Sequence, residues 1–234
     1  VIYGDTDSCM VLIPPGSVEN TIERARGIER EVNASYSRFA RQELNADTHY
    51  FSIKFEKIYQ RFFQAGKKKR YAGRLIWKEG KTVDEIDVFE IRRSDYPQIT
   101  KTVQKRVMEM ILHGEQYETI KTYLGEVIKS YRAGRYSLDE IGIPGGIGKD
   151  LLDYQTDDAH IRGAKYANEH LGMEFAKGSK PKRVYIRNVK EKYKKTDVLC
   201  FEYGDQVPSE FQVDWELMLQ KTLQQPISRI IEAL

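Results

Sequence analysis

The feature that most restricts how this chain can fold is a change in the spacing of its apolar residues. In Phe51-Ser52-Ile53-Lys54-Phe55-Glu56-Lys57-Ile58-Tyr59 apolar and polar residues alternate, as they do on a strand with one buried and one wet face. Shorter strand patterns follow at Ile58 to Gln64 and Tyr71 to Trp77, and the pattern changes after Asp87-Val88-Phe89-Glu90-Ile91. Beyond Arg92 the step becomes three and four. Ile99, Val103, Val107, Met110 and Ile111 form one helical stripe, which Ser94 can cap and Gly114 can stop; Tyr117, Ile120, Leu124, Val127, Ile128 and Tyr131 form a second, ended at Gly134. One period suits a strand and the other a helix, so the switch predicts an α+β chain with a domain boundary near Arg92.

Each half carries more than its dominant element. Pro14-Pro15-Gly16 breaks the first strand region, and Ser17 can cap a long amphipathic helix with Val18, Ile22, Ala25, Ile28, Val32, Tyr36 and Phe39 on one face. The first domain, residues 1–91, is therefore expected to be an antiparallel sheet backed by that helix. In residues 92–234 a glycine-rich loop, Ile141 to Gly148, precedes a helix at Ala159 to Leu171, a strand at Val184 to Val189 and a terminal helix over Val213 to Ile231. This second domain is expected to be mainly helical.

Composition narrows the class of protein. With 234 residues, 40% of them hydrophobic, the chain can bury a core, and its net charge of +3 leaves any polyanion-binding surface to the distribution of charge rather than its sum. Cys9 and Cys200 stand far apart, which argues against a disulfide framework and against a structural zinc site. No apolar run approaches the roughly 20 residues of a membrane helix. The expected setting is a soluble protein of the reducing cytoplasm, with no membrane partner. The first residue is Val rather than Met, which leaves room for sequence upstream.

The chain opens VIYGDTDSCMVLI. Val1 to Tyr3 and Cys9 to Ile13 read as two strands of a hairpin, with Gly4 giving the backbone freedom for a tight turn that brings Asp5 and Asp7 together at its tip. Two carboxylates so close repel unless a cation lies between them, and a divalent ion held by carboxylate oxygens is the usual remedy. An Asp-rich surface turn is the plainer alternative. About sixty residues later comes the basic run Lys67-Lys68-Lys69-Arg70, followed by Tyr71. Alone, it reads as a solvated loop between strands.

Together, in this order, YGDTDS and Lys68-Lys69-Arg70-Tyr71 resemble two signatures of the family B DNA polymerases, the hairpin corresponding to the palm motif C of that family. Phe89-Glu90-Ile91-Arg92-Arg93-Ser94-Asp95-Tyr96, leading into a helix, resembles the passage from palm to thumb in archaeal members. The resemblance implies an antiparallel palm sheet over 1–91 and a thumb over 92–234. It implies DNA-directed DNA polymerisation, with two Mg2+ ions and a dNTP substrate. Nucleotide addition is an in-line phosphoryl transfer in which both the attacking 3′ hydroxyl and the departing pyrophosphate need charge stabilisation.

By the same resemblance Asp7 is the principal metal ligand and Asp5 its neighbour, both catalytic, while Glu56 is either a third metal carboxylate or an exposed strand residue. Lys68, Lys69, Arg70 and Tyr71 would track the minor groove of primer-template DNA near the primer terminus, contacts that position the duplex without reading sequence. His160, Arg162 and Lys165 resemble a thumb segment gripping duplex phosphates; an ordinary helix surface is the alternative. Gly145-Gly146-Ile147-Gly148-Lys149 lacks the spacing of a nucleotide phosphate loop.

Polymerase chemistry also needs a carboxylate from a palm motif that precedes motif C, together with nucleotide-binding fingers, and no counterpart of either is present in this sequence. The expectation is therefore a larger partner subunit that carries the exonuclease, the fingers and the other palm motif. In this the chain resembles the small subunit of the two-polypeptide family B enzymes of methanogenic archaea. A piece of a single-chain polymerase would read the same way, and a non-catalytic nucleic-acid-binding module with a polymerase-like fold is the alternative function. A sliding clamp is a further candidate partner, although no convincing clamp-binding peptide occurs near Gln220 to Leu234.

Overall fold

The computed structural model describes residues 1–4, 7–64, 71–88, 94–156 and 158–231. Two compact units emerge, Val1–Phe62 with Gly73–Asp87 and Phe63–Ala72 with Val88–Leu234. The expected boundary at Arg92 lies outside the described residues.

In the first unit β1 (Tyr3–Gly4) and β2 (Cys9–Met10) pair antiparallel, Tyr3 opposite Met10 and Gly4 opposite Cys9. The long helix α1 runs from Val18 to Leu44; Ser17 caps it by accepting from the Asn20 N–H, and Asn45 ends it in the left-handed region at φ 51. Its apolar stripe is largely half-exposed: among its residues only Ala40 is buried, while Phe39 is 46% and Leu44 50% exposed. β3 (Lys57–Gln64), β4 (Tyr71–Lys78) and β5 (Lys81–Val88) form a three-stranded meander.

Two expectations change here. The strand predicted from Phe51 begins its ladder only at Lys57, because both backbone groups of Ile53 are taken by the Asn33 side chain of α1, its Nδ2 donating to the Ile53 carbonyl at 3.0 Å and its Oδ1 accepting at 2.9 Å. Among the described residues, moreover, the hairpin β1–β2 is a sheet of its own rather than part of the meander.

The second unit is less helical than its sequence suggested. Around α2 (Gln98–His113), α3 (Tyr117–Arg132), α4 (Leu138–Ile141) and α5 (Ala159–Leu171) runs an antiparallel sheet of β6 (Ile143–Pro144), β7 (Lys182–Val189), β8 (Val198–Phe201) and β9 (Phe211–Val213). β6 falls within the stretch expected to be loop, and Val213 ends a strand instead of starting the terminal helix. α5 packs on β8, where Gly163 lies so close that a Cβ would fall 3.0 Å from the Cys200 sulfur. Helix α2 starts after Pro97 and not at Ser94, since the ring of Pro97 disfavours helical geometry at Tyr96. The chain closes with α6 (Trp215–Leu219), a π-helical turn (Gln220–Gln224) and α7 (Gln225–Ile231). Both cysteines are free thiols. No helix among the described residues is long and apolar enough to cross a membrane.

Candidate active site

Tyr3 is the buried residue of the amino-terminal hairpin, 7% exposed, and its ring lies 6.4 Å from that of Phe62 on β3. Burial of one aromatic anchors a hairpin too short to be stable alone. The Ile2 N–H donates to the Met10 carbonyl at 2.8 Å and extends the pairing by one residue. Gly4 and Cys9 are opposed, with four residues between them in the sequence. Asp7, between the two strands, is exposed; Asp5 lies outside the described residues.

Glu56 is exposed just before β3, and its carbonyl accepts from the Glu79 N–H at 2.9 Å. Among the described residues no group of three or more His, Cys, Asp or Glu side chains is placed to hold a metal ion, and Asp5 is not among them. What the hairpin offers is an exposed carboxylate on an anchored turn, with hard oxygen donors of the kind that Mg2+ takes.

The meander beside it is tightly built. Asp87 on β5 accepts from the Tyr59 hydroxyl at 2.7 Å and pairs with Lys57 at 3.2 Å, while Arg74 donates to both oxygens of Asp84 at 2.9 and 3.0 Å. Tyr71 opens β4, half-buried. Lys68, Lys69 and Arg70, in the segment joining β3 to β4, lie outside the described residues.

On α5 the three expected phosphate-gripping residues diverge. Arg162 is engaged by Asp197, donating from Nε to Oδ1 at 3.1 Å and from Nη2 to Oδ2 at 2.5 Å. Lys165 is exposed. His160 is half-buried, edge-on to the Tyr154 ring at 6.4 Å, and burial together with the nearby Arg183 cation pushes its pKa down while Asp158 pulls it up. A second basic stretch went unread in the sequence: between Lys177 and Lys195 the only acidic residue is Glu191. The turn at its end is firmly held, for the Tyr166 hydroxyl donates to the Lys194 carbonyl at 2.5 Å and the Tyr193 ring packs 5.0 Å from Phe211. Its charge run was the available signal.

Comparison with known proteins matches residues 1–234 to the family model of DNA polymerase family B. The chain is 28% identical over 220 residues to DNA polymerase 2 of Aeropyrum pernix, covering 93% of this chain and 24% of that one. It is 29% identical over 187 residues to a DNA polymerase of Archaeoglobus fulgidus, covering 80% of this chain and 21% of the relative. With the DNA polymerase delta catalytic subunit of Glycine max it shares 25% over 237 residues, 99% of this chain and 20% of the other. The chain thus spans between a fifth and a quarter of the length of these relatives. The solved family B DNA polymerase of Pyrobaculum calidifontis superposes with a TM-score of 0.60 at 20% identity, over 92% of this chain and 29% of that structure, a likeness of fold.

Proposed function

The chain belongs to DNA polymerase family B, and from that premise we propose that it forms the carboxy-terminal palm (1–91) and thumb (92–234) of a DNA-directed DNA polymerase. The observation that carries the reading is the family match over the full 234 residues, which includes an acidic hairpin whose Asp7 faces solvent. Tyr3 holds that hairpin against β3, so the carboxylate is presented by anchored backbone and not by a free loop.

Asp7 and Asp5, with Glu56 as a third candidate, would hold two Mg2+ ions together with a carboxylate from elsewhere in the polymerase, and the bound ions would stabilise charge at the primer 3′ oxygen and the pyrophosphate leaving the dNTP. Lys68, Lys69 and Arg70 would neutralise backbone phosphates of the primer-template, and Tyr71, whose backbone begins β4, would pack at the primer end. Lys165 and His160 would meet the duplex further back. Arg162 would join them only by exchanging Asp197 for a phosphate.

The apolar surface of the first unit supports a larger partner carrying the remaining palm. Val1 is 85% and Leu12 73% exposed, and Leu12, Ile13 and Pro14 line a groove with Gly27 and Ile28 of α1, rimmed by the charged Arg24 and Glu31. Such a surface, beside a strand of only two residues, suits burial against more protein. The test is primer extension by this chain alone and after addition of the polypeptide that bears the other palm motif. No incorporation alone and incorporation after mixing is the expected outcome; steady synthesis by the chain alone would overturn the partner requirement.

A further inference from the structure

Two non-glycine residues among those described adopt the left-handed backbone conformation, Asn45 at φ 51 and Glu79 at φ 46. Asparagine does so readily and glutamate does not. Glu79 and Gly80, the latter at φ 92, form the two-residue turn between β4 and β5, where both positions take positive φ and Asn-Gly is the favoured pair. A glutamate at the first of them is strained, and strain of this kind points to the contacts that the residue makes.

Glu79 makes two, both to the segment before β3. Its N–H donates to the Glu56 carbonyl at 2.9 Å, and its Oε1 lies 3.4 Å from the Lys54 Nζ. Between these residues the Phe55 ring stacks on that of Trp77 at the end of β4, centroids 4.5 Å apart and 6° from parallel, and Trp77 is itself buried. One step earlier Ile53 is held at both backbone groups by Asn33 of α1. Four successive residues are thus fixed without a strand ladder, three of them by the end of the β4–β5 hairpin. The carboxylate carried by this backbone is left without a cation. Lys54 turns to Glu79 and Lys57 to Asp87, at 3.2 Å, while Glu56 is exposed and makes no ion pair among the described residues.

We infer that Glu79 is a positioning residue for the Glu56 carboxylate. It fixes the backbone on which Glu56 stands and draws a neighbouring ammonium away, so that the Glu56 oxygens stay free for a divalent cation. An ion pair as exposed as Lys54 with Glu79 adds little stability; its effect is on where the groups beside Glu56 lie. Assigning the cation to a polymerase centre rests on the reading proposed above.

The test measures two quantities on the assembled polymerase, this chain with the polypeptide that bears the other palm motif, bound to a primer-template. One is Mn2+ affinity, from the electron paramagnetic resonance signal of the free ion; the other is the Mg2+ concentration that gives half-maximal extension. Glu79→Asn suits the turn and keeps the main-chain N–H, so the variant is expected to melt no lower than wild type. It should nevertheless weaken Mn2+ binding and raise the Mg2+ requirement about threefold, less than the roughly tenfold typical when a group bonded to the ligand side chain itself is lost. Phe55→Leu, which removes the ring stack and keeps an apolar side chain, should move both quantities in the same direction. In a Glu56→Gln background neither substitution should have a further effect. Unchanged Mn2+ binding in both variants, or an equal loss when Glu56 is already glutamine, would overturn the positioning role and leave the polymerase reading standing. A wild-type assembly that extends no primer would instead overturn the polymerase reading, and this assignment with it.

Discussion

The Thr100 hydroxyl donates to the main-chain carbonyl of Thr222 at 2.5 Å, across 122 residues of sequence. In an α-helix that carbonyl would take its hydrogen from residue 226, which is Pro226 and has none. The helix widens into a π-helical turn over Gln220–Gln224, and α2 supplies the missing donor from Thr100. The Thr222 hydroxyl donates in turn to the Met218 carbonyl at 2.8 Å, so the Tyr131 hydroxyl, 2.9 Å away, must be the donor to Thr222 Oγ1. All three side chains are fully buried.

Thr100→Val keeps the shape and removes the donor, leaving a buried carbonyl without its partner. A loss of about 1–3 kcal/mol in urea unfolding is expected. Tyr131→Phe should cost about 1 kcal/mol and add a signature in pH. Burial raises the Tyr131 pKa above its ordinary value, so the unfolded chain loses this proton first; the contribution is complete below about pH 10 and declines as pH rises beyond it. The phenylalanine variant should lack that part of the alkaline decline. Equal stability of wild type and Thr100→Val would refute the network's role.

A second prediction concerns Gly73 of β4. A Cβ there would fall 2.2 Å from the Tyr59 ring, and that ring is pinned by its hydroxyl bond to Asp87. Gly73→Ala is expected to destabilise the meander by about 1–3 kcal/mol. In a Tyr59→Ala background the same change should be nearly neutral, and additive costs in that double-mutant cycle would show that the Tyr59 ring does not limit residue 73.

These neighbourhoods show what the sequence could and could not convey. Helix α5 fills the range expected from the sequence, Ala159 to Leu171, and ends where Gly172 takes the left-handed conformation. Strand β8 was not: Val198-Leu199-Cys200-Phe201 is buried throughout and has no alternation, so its period fits a short strand or a buried helix equally. At Phe51 the alternation is genuine, yet a single asparagine on α1 replaces the neighbouring strand. The acidic hairpin and the basic run were legible as short, dense patterns. The close approach of the Gly145 backbone to His160 of α5 and Arg183 of β7 was not, because three separate elements contribute one residue each and only the fold brings them together.

Asp7→Ala should abolish primer extension by the assembled polymerase while leaving its melting temperature and duplex affinity nearly unchanged. Asp7 is exposed, so its loss is expected to fall on transition-state stabilisation and not on folding. Asp5→Ala should fold equally well and retain more activity. Extension by Asp7→Ala near the wild-type rate would show that the hairpin carboxylate does not serve the chemistry.

The basic run between β3 and β4 separates its two readings by salt. If Lys68, Lys69 and Arg70 meet duplex phosphates, the Lys68→Ala/Lys69→Ala variant should bind every primer-template more weakly, whatever its sequence. Each phosphate that is no longer neutralised should lower the slope of log affinity against log salt by roughly one unit. Tyr71→Ala should behave differently, because its ring carries no charge: extension should fall more than binding, with the slope unchanged. Equilibrium binding of one duplex at several salt concentrations decides between them. Superimposable plots for wild type and the double variant would make the run a solvated connection between two strands, and the proposed approach of this segment to the primer terminus would then rest on Tyr71 alone.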